Sequence, residues 1–120
     1  MANIQTQSTS SSLLTPELKK RFEHYPLYSQ DGKGKDAICL AVLHVNACRW
    51  YILEGEPEGD TFMFYVISCG GSLIPEYGYL SLSSVEEANA QRVHQISFLP
   101  EFVPTPLKEI HDDVLQDFLS

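Results

Sequence analysis

The stretch Ala37–Cys69, AICLAVLHVNACRWYILEGEPEGDTFMFYVISC, decides the fold of this chain. It holds three apolar runs, Ala37–Val45, Cys48–Glu54 and Thr61–Cys69. The last two are rich in the β-branched and aromatic residues that favour strands. Asn46-Ala47 separates the first two runs and predicts a tight turn, because Asn tolerates a positive φ. The stretch therefore predicts a three-stranded antiparallel meander.

The lengths of the runs predict which residues pair across the meander. A two-residue turn after the first run places Leu43 opposite Trp50. A loop after Glu54 pairs that residue with Thr61, which places Trp50 opposite Tyr65. One predicted face carries Ala41, Leu43, Trp50, Ile52, Met63 and Tyr65, and the other carries Leu40, Val42, Tyr51, Leu53, Phe62 and Phe64. Both faces are apolar, so helices on both sides or a partner subunit must cover them.

Helical patterns flank this sheet on both sides. Thr15-Pro16-Glu17 predicts a capped helix start, and the helix should run to about His24. Ser83 or Ser84 caps a short helix, and Thr105-Pro106 opens a last one with an apolar stripe. Further strands are predicted at Tyr77–Leu82 and Val93–Leu99. The predicted fold class is α+β, an antiparallel sheet of four or five strands flanked by an N-terminal and a C-terminal helix.

Length and composition are those of one globular domain. The chain has 120 residues, of which 43% are hydrophobic, enough for a core without disulfides or metals. Residues 1–12 are rich in Ser, Thr, Gln and Asn and are predicted to be a disordered tail. The single domain is predicted to span 13–120.

The charge and the cysteines exclude several classes of protein. A net charge of -8 disfavours binding to nucleic-acid phosphates, which needs a basic face. No apolar run approaches the ~18 residues of a membrane span, and the first residues lack the pattern of a signal peptide. The three cysteines are an odd number without a CxxC pair, which indicates reduced thiols in a cytoplasmic protein.

The acidic segment EGEPEGD raises the question of a metal site. Glu54, Glu56, Glu58 and Asp60 stand at alternate positions, as oxygen ligands do in calcium loops. However, Pro57 stiffens the middle and no closing Glu follows, so a solvated hairpin loop explains the segment better. The cysteines and histidines are too widely spaced on the predicted sheet for a zinc site. No metal and no cofactor is predicted.

Catalytic motifs are also lacking, whereas an aromatic segment favours binding. The chain has no GxSxG, no phosphate-binding loop and no dinucleotide fingerprint. A hydrolase would have to use Cys69, in the turn CGGS, or a carboxylate such as Glu76. In Pro75–Tyr79, PEYGY, turn residues alternate with tyrosines, which are enriched at protein interfaces. We expect a protein-binding surface of Glu76, Tyr77 and Tyr79, with Glu54 and Asp60 of the acidic loop beside it.

An ordered set of short motifs resembles a known family. The motifs are LLTPEL at 13–18, PLY at 26–28, WY at 50–51, GDTF at 59–62, PEYGYLSL at 75–82 and PTPL at 104–107. This order is similar to a family of small bacterial proteins of unknown function carried on plasmids, phages and conjugative elements, often near antirestriction genes. The chain departs from the family at Phe62-Met63-Phe64, at Glu76-Tyr77-Gly78-Tyr79, and in lacking an Arg-Asp pair before the last strand.

The resemblance implies a mobile element in a bacterium and supplies no catalytic residues. Together with the residues themselves, it favours a non-enzymatic module that binds a host or element-encoded protein, with a counter-defence inhibitor or adaptor as one form of it. Two alternatives remain open from the sequence. One is a small hydrolase using Cys69 or Glu76, and the other is a structural homo-oligomer whose second sheet face is covered by another copy.

Overall fold

The computed structural model describes residues 13–120, and the predicted tail over 1–12 lies outside the described residues. The chain has the predicted α+β fold, with helices flanking an antiparallel sheet. The helices are α1 (Pro16–Phe22), α2 (Leu82–Asn89) and α3 (Asp113–Leu119). The strands are β1 (Ile38–Cys39), β2 (Ala41–Val45), β3 (Cys48–Glu58), β4 (Thr61–Cys69), β5 (Glu76–Ser81), β6 (Ser97–Phe98) and β7 (Thr105–Pro106).

Five strands form the main sheet in the order β5-β4-β3-β2-β6, and every pairing in it is antiparallel. The short strands β1 and β7 pair separately as a two-stranded sheet. β5 and β6 are therefore the two edge strands of the main sheet.

The first predicted turn and the first helix are confirmed. Ala41 pairs with Ile52 and Leu43 with Trp50, and Asn46 in the turn has φ 51°. At α1, the Thr15 hydroxyl accepts a hydrogen bond from the backbone N–H of Leu18 at 3.2 Å. This hydroxyl satisfies one of the donors that every helix N-terminus leaves free.

The register of the second hairpin differs from the prediction. Glu58, not Glu54, pairs with Thr61, so the acidic segment is mostly strand and only Gly59-Asp60 forms the turn. Gly59 has φ +59°, which glycine adopts without strain. Trp50 then lies opposite Ser68 instead of Tyr65. The prediction failed because it treated Gly and Pro in the segment as loop residues.

A β-bulge at Leu53 changes which residues share a face. The pairing shifts between Ile52 and Glu54, leaving Leu53 without a directly opposite residue. Phe62 and Phe64 consequently pack on the same face as Ile52, against the prediction. The residues of this face, the α1 face, include Leu14, Phe22, Ala41, Leu43, Val45, Ile52, Phe62, Phe64, Val66 and Val85.

The opposite face, here the α3 face, has its own core. Its buried residues are Ala37, Cys39, Val42, Tyr51, Leu53, Ile67, Cys69, Leu107 and Leu115. Elements of the same chain thus cover both faces, α1 and α2 on one and α3 on the other. The apolar second face, which motivated the homo-oligomer alternative, needs no second copy.

The C-terminal third departs most from the prediction. Thr105-Pro106 pairs with β1 and is followed by a single 3-10 turn, Leu107–Glu109, instead of the predicted continuous helix. The last α-helix begins at Asp113. Asp112 caps it, because its Oδ1 accepts from the N–H groups of Val114 and Leu115 at 3.1 and 3.2 Å. β6 is confined to Ser97–Phe98, and Ser81 is the cap of α2.

Candidate functional site

Two carboxylates of β3 bind the backbone of the loop Leu27–Gln30, and the two hydrogen bonds made by Glu54 are here called the Glu54 clamp. The side chain of Glu54 is 2% exposed. Its Oε1 accepts from the N–H of Tyr28 at 2.7 Å and its Oε2 from the N–H of Gln30 at 2.8 Å. Glu56 Oε1 accepts from the N–H of Leu27 at 2.9 Å. Because both Glu54 oxygens accept hydrogen bonds from backbone donors and the side chain is buried, this residue does not belong to a solvated turn.

The buried side chain of Gln30 binds the end of the same loop to the backbone of Ile38 and Leu53. Its side chain is 4% exposed, and Nε2 donates to the carbonyls of Ile38 and Leu53 at 2.7 Å each. Its Oε1 accepts from the N–H of Ile38 at 2.7 Å. Every polar atom of this amide side chain therefore has a partner, as buried polar groups require. The loop from Leu27 to Gln30 is held at both ends.

The clamped loop presents Tyr28 to solvent. Tyr28 has φ 74°, a left-handed conformation that is uncommon for a bulky residue and needs support from its surroundings. The hydrogen bond from its N–H to Glu54 supplies such support. The ring remains 70% exposed. Backbone strain and an exposed aromatic ring thus occur at the same residue, and local strain of this kind is concentrated at functional sites.

Four tyrosines form one surface, here called the tyrosine face: Tyr28, Tyr65, Tyr77 and Tyr79. Tyr65 on β4 packs between the two on β5, with ring centroids 5.7 Å from Tyr77 and 5.0 Å from Tyr79. Tyr77 also contacts Phe118 of α3 at 5.4 Å. Tyr77 and Tyr79 are 40% and 53% exposed. Their rings are thus fixed from one side and open on the other.

Two phenols of this face, those of Tyr65 and Tyr79, have raised pKa values. Hydrogen bonding with the Tyr28 side chain, followed by desolvation, raises the pKa of Tyr79 to about 12. Burial, followed by the neighbouring Tyr77 and Glu54, raises the pKa of Tyr65. Neutral phenols can donate and accept hydrogen bonds at physiological pH.

A cleft of about 320 Å³ opens beside the tyrosine face. Its lining residues are Gln30, Asp31, Gly32, Gly34, Ala37, Leu53, Glu54, Tyr65 and Tyr77. The loop that follows the Glu54 clamp forms one wall, and the α3 face of the sheet forms the floor. Tyr77 belongs to both the cleft and the exposed surface, so a molecule bound at one would contact the other.

The structure brings together some of the predicted binding residues and separates others. Glu54 and Tyr77 line the same cleft, and Tyr79 packs against Tyr65 beside it. Glu76 is exposed and, by strand alternation, points to the opposite face from Tyr77. Asp60 lies at the far hairpin end, in a hollow with Leu14, Lys19 and Leu82 on the α1 side.

Sequence reasoning missed Tyr28, Tyr65 and Asp31 as part of this surface. Tyr28 stands in the PLY motif, where its exposure depends on the Glu54 clamp. Tyr65 reaches the α3 face only through the bulge at Leu53. Neither contact leaves a local signal in the sequence, because each joins segments that are distant along the chain.

The geometry around Cys69 does not favour nucleophilic catalysis. The side chain is 0% exposed, and its Sγ lies 3.9 Å from Asp112 Oδ2, which also accepts a hydrogen bond from the Tyr51 hydroxyl. Burial, followed by Asp112, raises the pKa of the Cys69 thiol to about 11. Catalytic cysteines need the opposite shift, towards the thiolate.

Within residues 13–120, no three His, Cys, Asp or Glu side chains are grouped so that they could bind a metal ion. No helix found there has the length and apolar character needed to cross a membrane.

Comparison with known proteins adds no relative. No protein-family model matches the chain, and neither the curated proteins nor the solved structures contain a match.

Proposed function

We propose that this chain is a protein-binding module, not an enzyme, and that the tyrosine face is its binding surface. The observation that carries the proposal is the exposure of Tyr28, Tyr77 and Tyr79, which are 70%, 40% and 53% exposed on one surface. Tyrosine contributes a large, rigid contact area and a polar hydroxyl, and it is enriched at interfaces and their energetic centres. The support of the Glu54 clamp keeps this surface ordered before a partner arrives, which lowers the entropic cost of binding.

The setting is part of the same proposal. The order of motifs from LLTPEL to PTPL supports a bacterial mobile element as the source, and a counter-defence inhibitor or adaptor as the role. Three free thiols, two of them buried, fit a reducing cytoplasm. The target would then be a cytoplasmic protein of the host or of the element itself.

Affinity capture with matched variants tests the binding surface. Tagged wild type, a Tyr77→Ala/Tyr79→Ala variant and a Val93→Ala/Val103→Ala control would be exposed to nuclease-treated bacterial lysate and read by mass spectrometry. The control removes apolar area from residues that are 92% and 67% exposed outside the tyrosine face. We expect a stoichiometric protein with the wild type and the control, and its loss with the tyrosine variant.

Two results would contradict the proposal. A partner retained by the tyrosine variant would show that binding uses another surface. If none of the three proteins captures a stoichiometric partner, the support for a binding function is removed. Urea unfolding of each variant separates a lost surface from a lost fold.

A further inference from the structure

The outer edge of β5 is open for backbone pairing. β5 pairs with β4 on one side, in unbroken register from Ser68–Glu76 to Met63–Ser81. Within residues 13–120, no other strand pairs with its outer side and no loop backbone bonds to it. A Cβ placed on Gly78 would meet no atom within 4 Å, so the strand is also open on the face opposite the tyrosines.

β5 lacks the devices that usually protect an edge strand. In natural proteins, Lys or Pro residues, bulges or a covering element prevent an edge strand from pairing with another chain. The sequence of β5, Glu-Tyr-Gly-Tyr-Leu-Ser, has neither Lys nor Pro, and its pairing shows no bulge. Its single charged residue, Glu76, stands at the first position. Such an edge is a template for one more strand.

The charges around the tyrosine face indicate the chemistry of that strand. Asp31 lines the cleft beside Tyr77. Asp113 and Asp117 belong to α3, which packs Phe118 against Tyr77 and has no basic residue. Lys33 and Lys35 stand in the loop after Asp31, but the whole chain carries -8. The exposed Asp31 beside the Tyr77 ring suits Arg or Lys, which pair with carboxylates and stack on aromatic rings.

We propose that β5 binds an extended, basic segment of a partner protein as an added strand, with alternate Arg or Lys side chains over the tyrosine face. This mode rests on the protein-binding function proposed above and specifies how the partner is recognised. Backbone hydrogen bonds to β5 supply affinity, and the alternate side chains of the added strand that lie over the tyrosine face supply specificity. A second copy of this chain is a poorer occupant, because it brings another eight negative charges to an acidic surface.

Peptides of defined sequence test this mode directly. The probe is a short synthetic peptide in which Arg alternates with Val and Thr. Two N-methylated versions block either the amides of the Arg positions or those between them, and a third version carries Glu in place of Arg. Binding is measured by fluorescence anisotropy, and amide hydrogen exchange is followed over Glu76–Ser81.

Strand addition predicts that the two N-methylated peptides bind with different affinities. With Arg on the tyrosine face, only one alternate set of peptide amides points to β5, so one methylated version should bind about tenfold more weakly while the other is tolerated. The unmodified Arg peptide should slow amide exchange in β5, and the Glu peptide should bind about tenfold more weakly than the Arg peptide. Asp31→Asn should weaken binding of the Arg peptide.

Four outcomes would overturn the strand-addition proposal. They are no binding of the Arg peptide, equal binding of all methylated versions, equal binding of the Glu peptide, and a concentration-dependent dimer that protects β5 without any peptide. In the first three cases the lysate capture still decides the protein-binding function, because it depends on Tyr77 and Tyr79 and not on the mode of pairing.

Discussion

The Glu54 clamp predicts a large loss of stability from a change that keeps the size of the side chain. In Glu54→Gln, an amide group replaces one of the two oxygens that accept from Tyr28 and Gln30. One buried N–H then faces another donor, which costs about 1–3 kcal/mol, and the second hydrogen bond loses its charge, which costs about 1 kcal/mol. We expect the free energy of unfolding to fall by about 2–4 kcal/mol.

Urea unfolding with a matched control measures this loss. Glu58→Gln is the same exchange on the same strand at an exposed position, where about ±0.5 kcal/mol is usual. With a slope of about 2 kcal/mol per molar urea, Glu54→Gln should lower the midpoint by about 1–2 M. Hydrogen exchange should accelerate at the amides of Tyr28 and Gln30. A midpoint equal to that of the Glu58 variant, with both amides still protected, would refute the clamp.

Three further predictions concern packing, thiol exposure and pH. Gly55→Ala should lower the free energy of unfolding in urea by about 1–3 kcal/mol, because the new Cβ would lie 2.7 Å from the Phe62 ring. Gly78→Ala, where the space is open, should change it little, and equal effects of the two variants would contradict this packing. In native protein at neutral pH, a thiol reagent should modify the half-buried Cys48 first, and early modification of Cys69 would contradict the burial of its side chain. Burial raises the pKa of Cys69 to about 11, so the unfolded thiol ionises first. The contribution of Cys69 to the unfolding free energy should be constant below about pH 8.5 and be lost as the pH rises to 11, so the fall over this range should be shallower in Cys69→Ala.

Local patterns predicted the elements that local interactions decide. The helix at Thr15-Pro16 and the turn at Asn46-Ala47 are both present, since a cap and a turn residue act on their nearest neighbours in sequence. The same reasoning placed a helix at Thr105-Pro106, where Pro106 instead pairs with Ile38. Tertiary pairing with a distant strand overrode the local preference there, and the local signal could not show it.

The acidic segment shows why the site was only partly predictable. Gly55 and Pro57 look like turn residues, yet both are in strand β3. Gly55 is needed because the rings of Phe22, Phe62 and Phe64 crowd the position of its missing Cβ, and its neighbour Glu54 binds the loop at Tyr28. Both reasons are long-range contacts that composition and spacing do not reveal.

The bulge at Leu53 connects the error in register to the binding surface. If β3 had no extra residue, the register set by the pair Glu58–Thr61 would place Ile52 opposite Ile67. Each side chain of β4 would then lie on the other face of the sheet relative to Ile52. With the extra residue, Ile52 pairs with Val66. This one-residue shift sends Val66 to the α1 face and Tyr65 to the α3 face, where it packs on the tyrosines of β5. The bulge that seats Glu54 under the loop therefore also builds the tyrosine face, so stability and the proposed recognition depend on the same irregularity of the sheet.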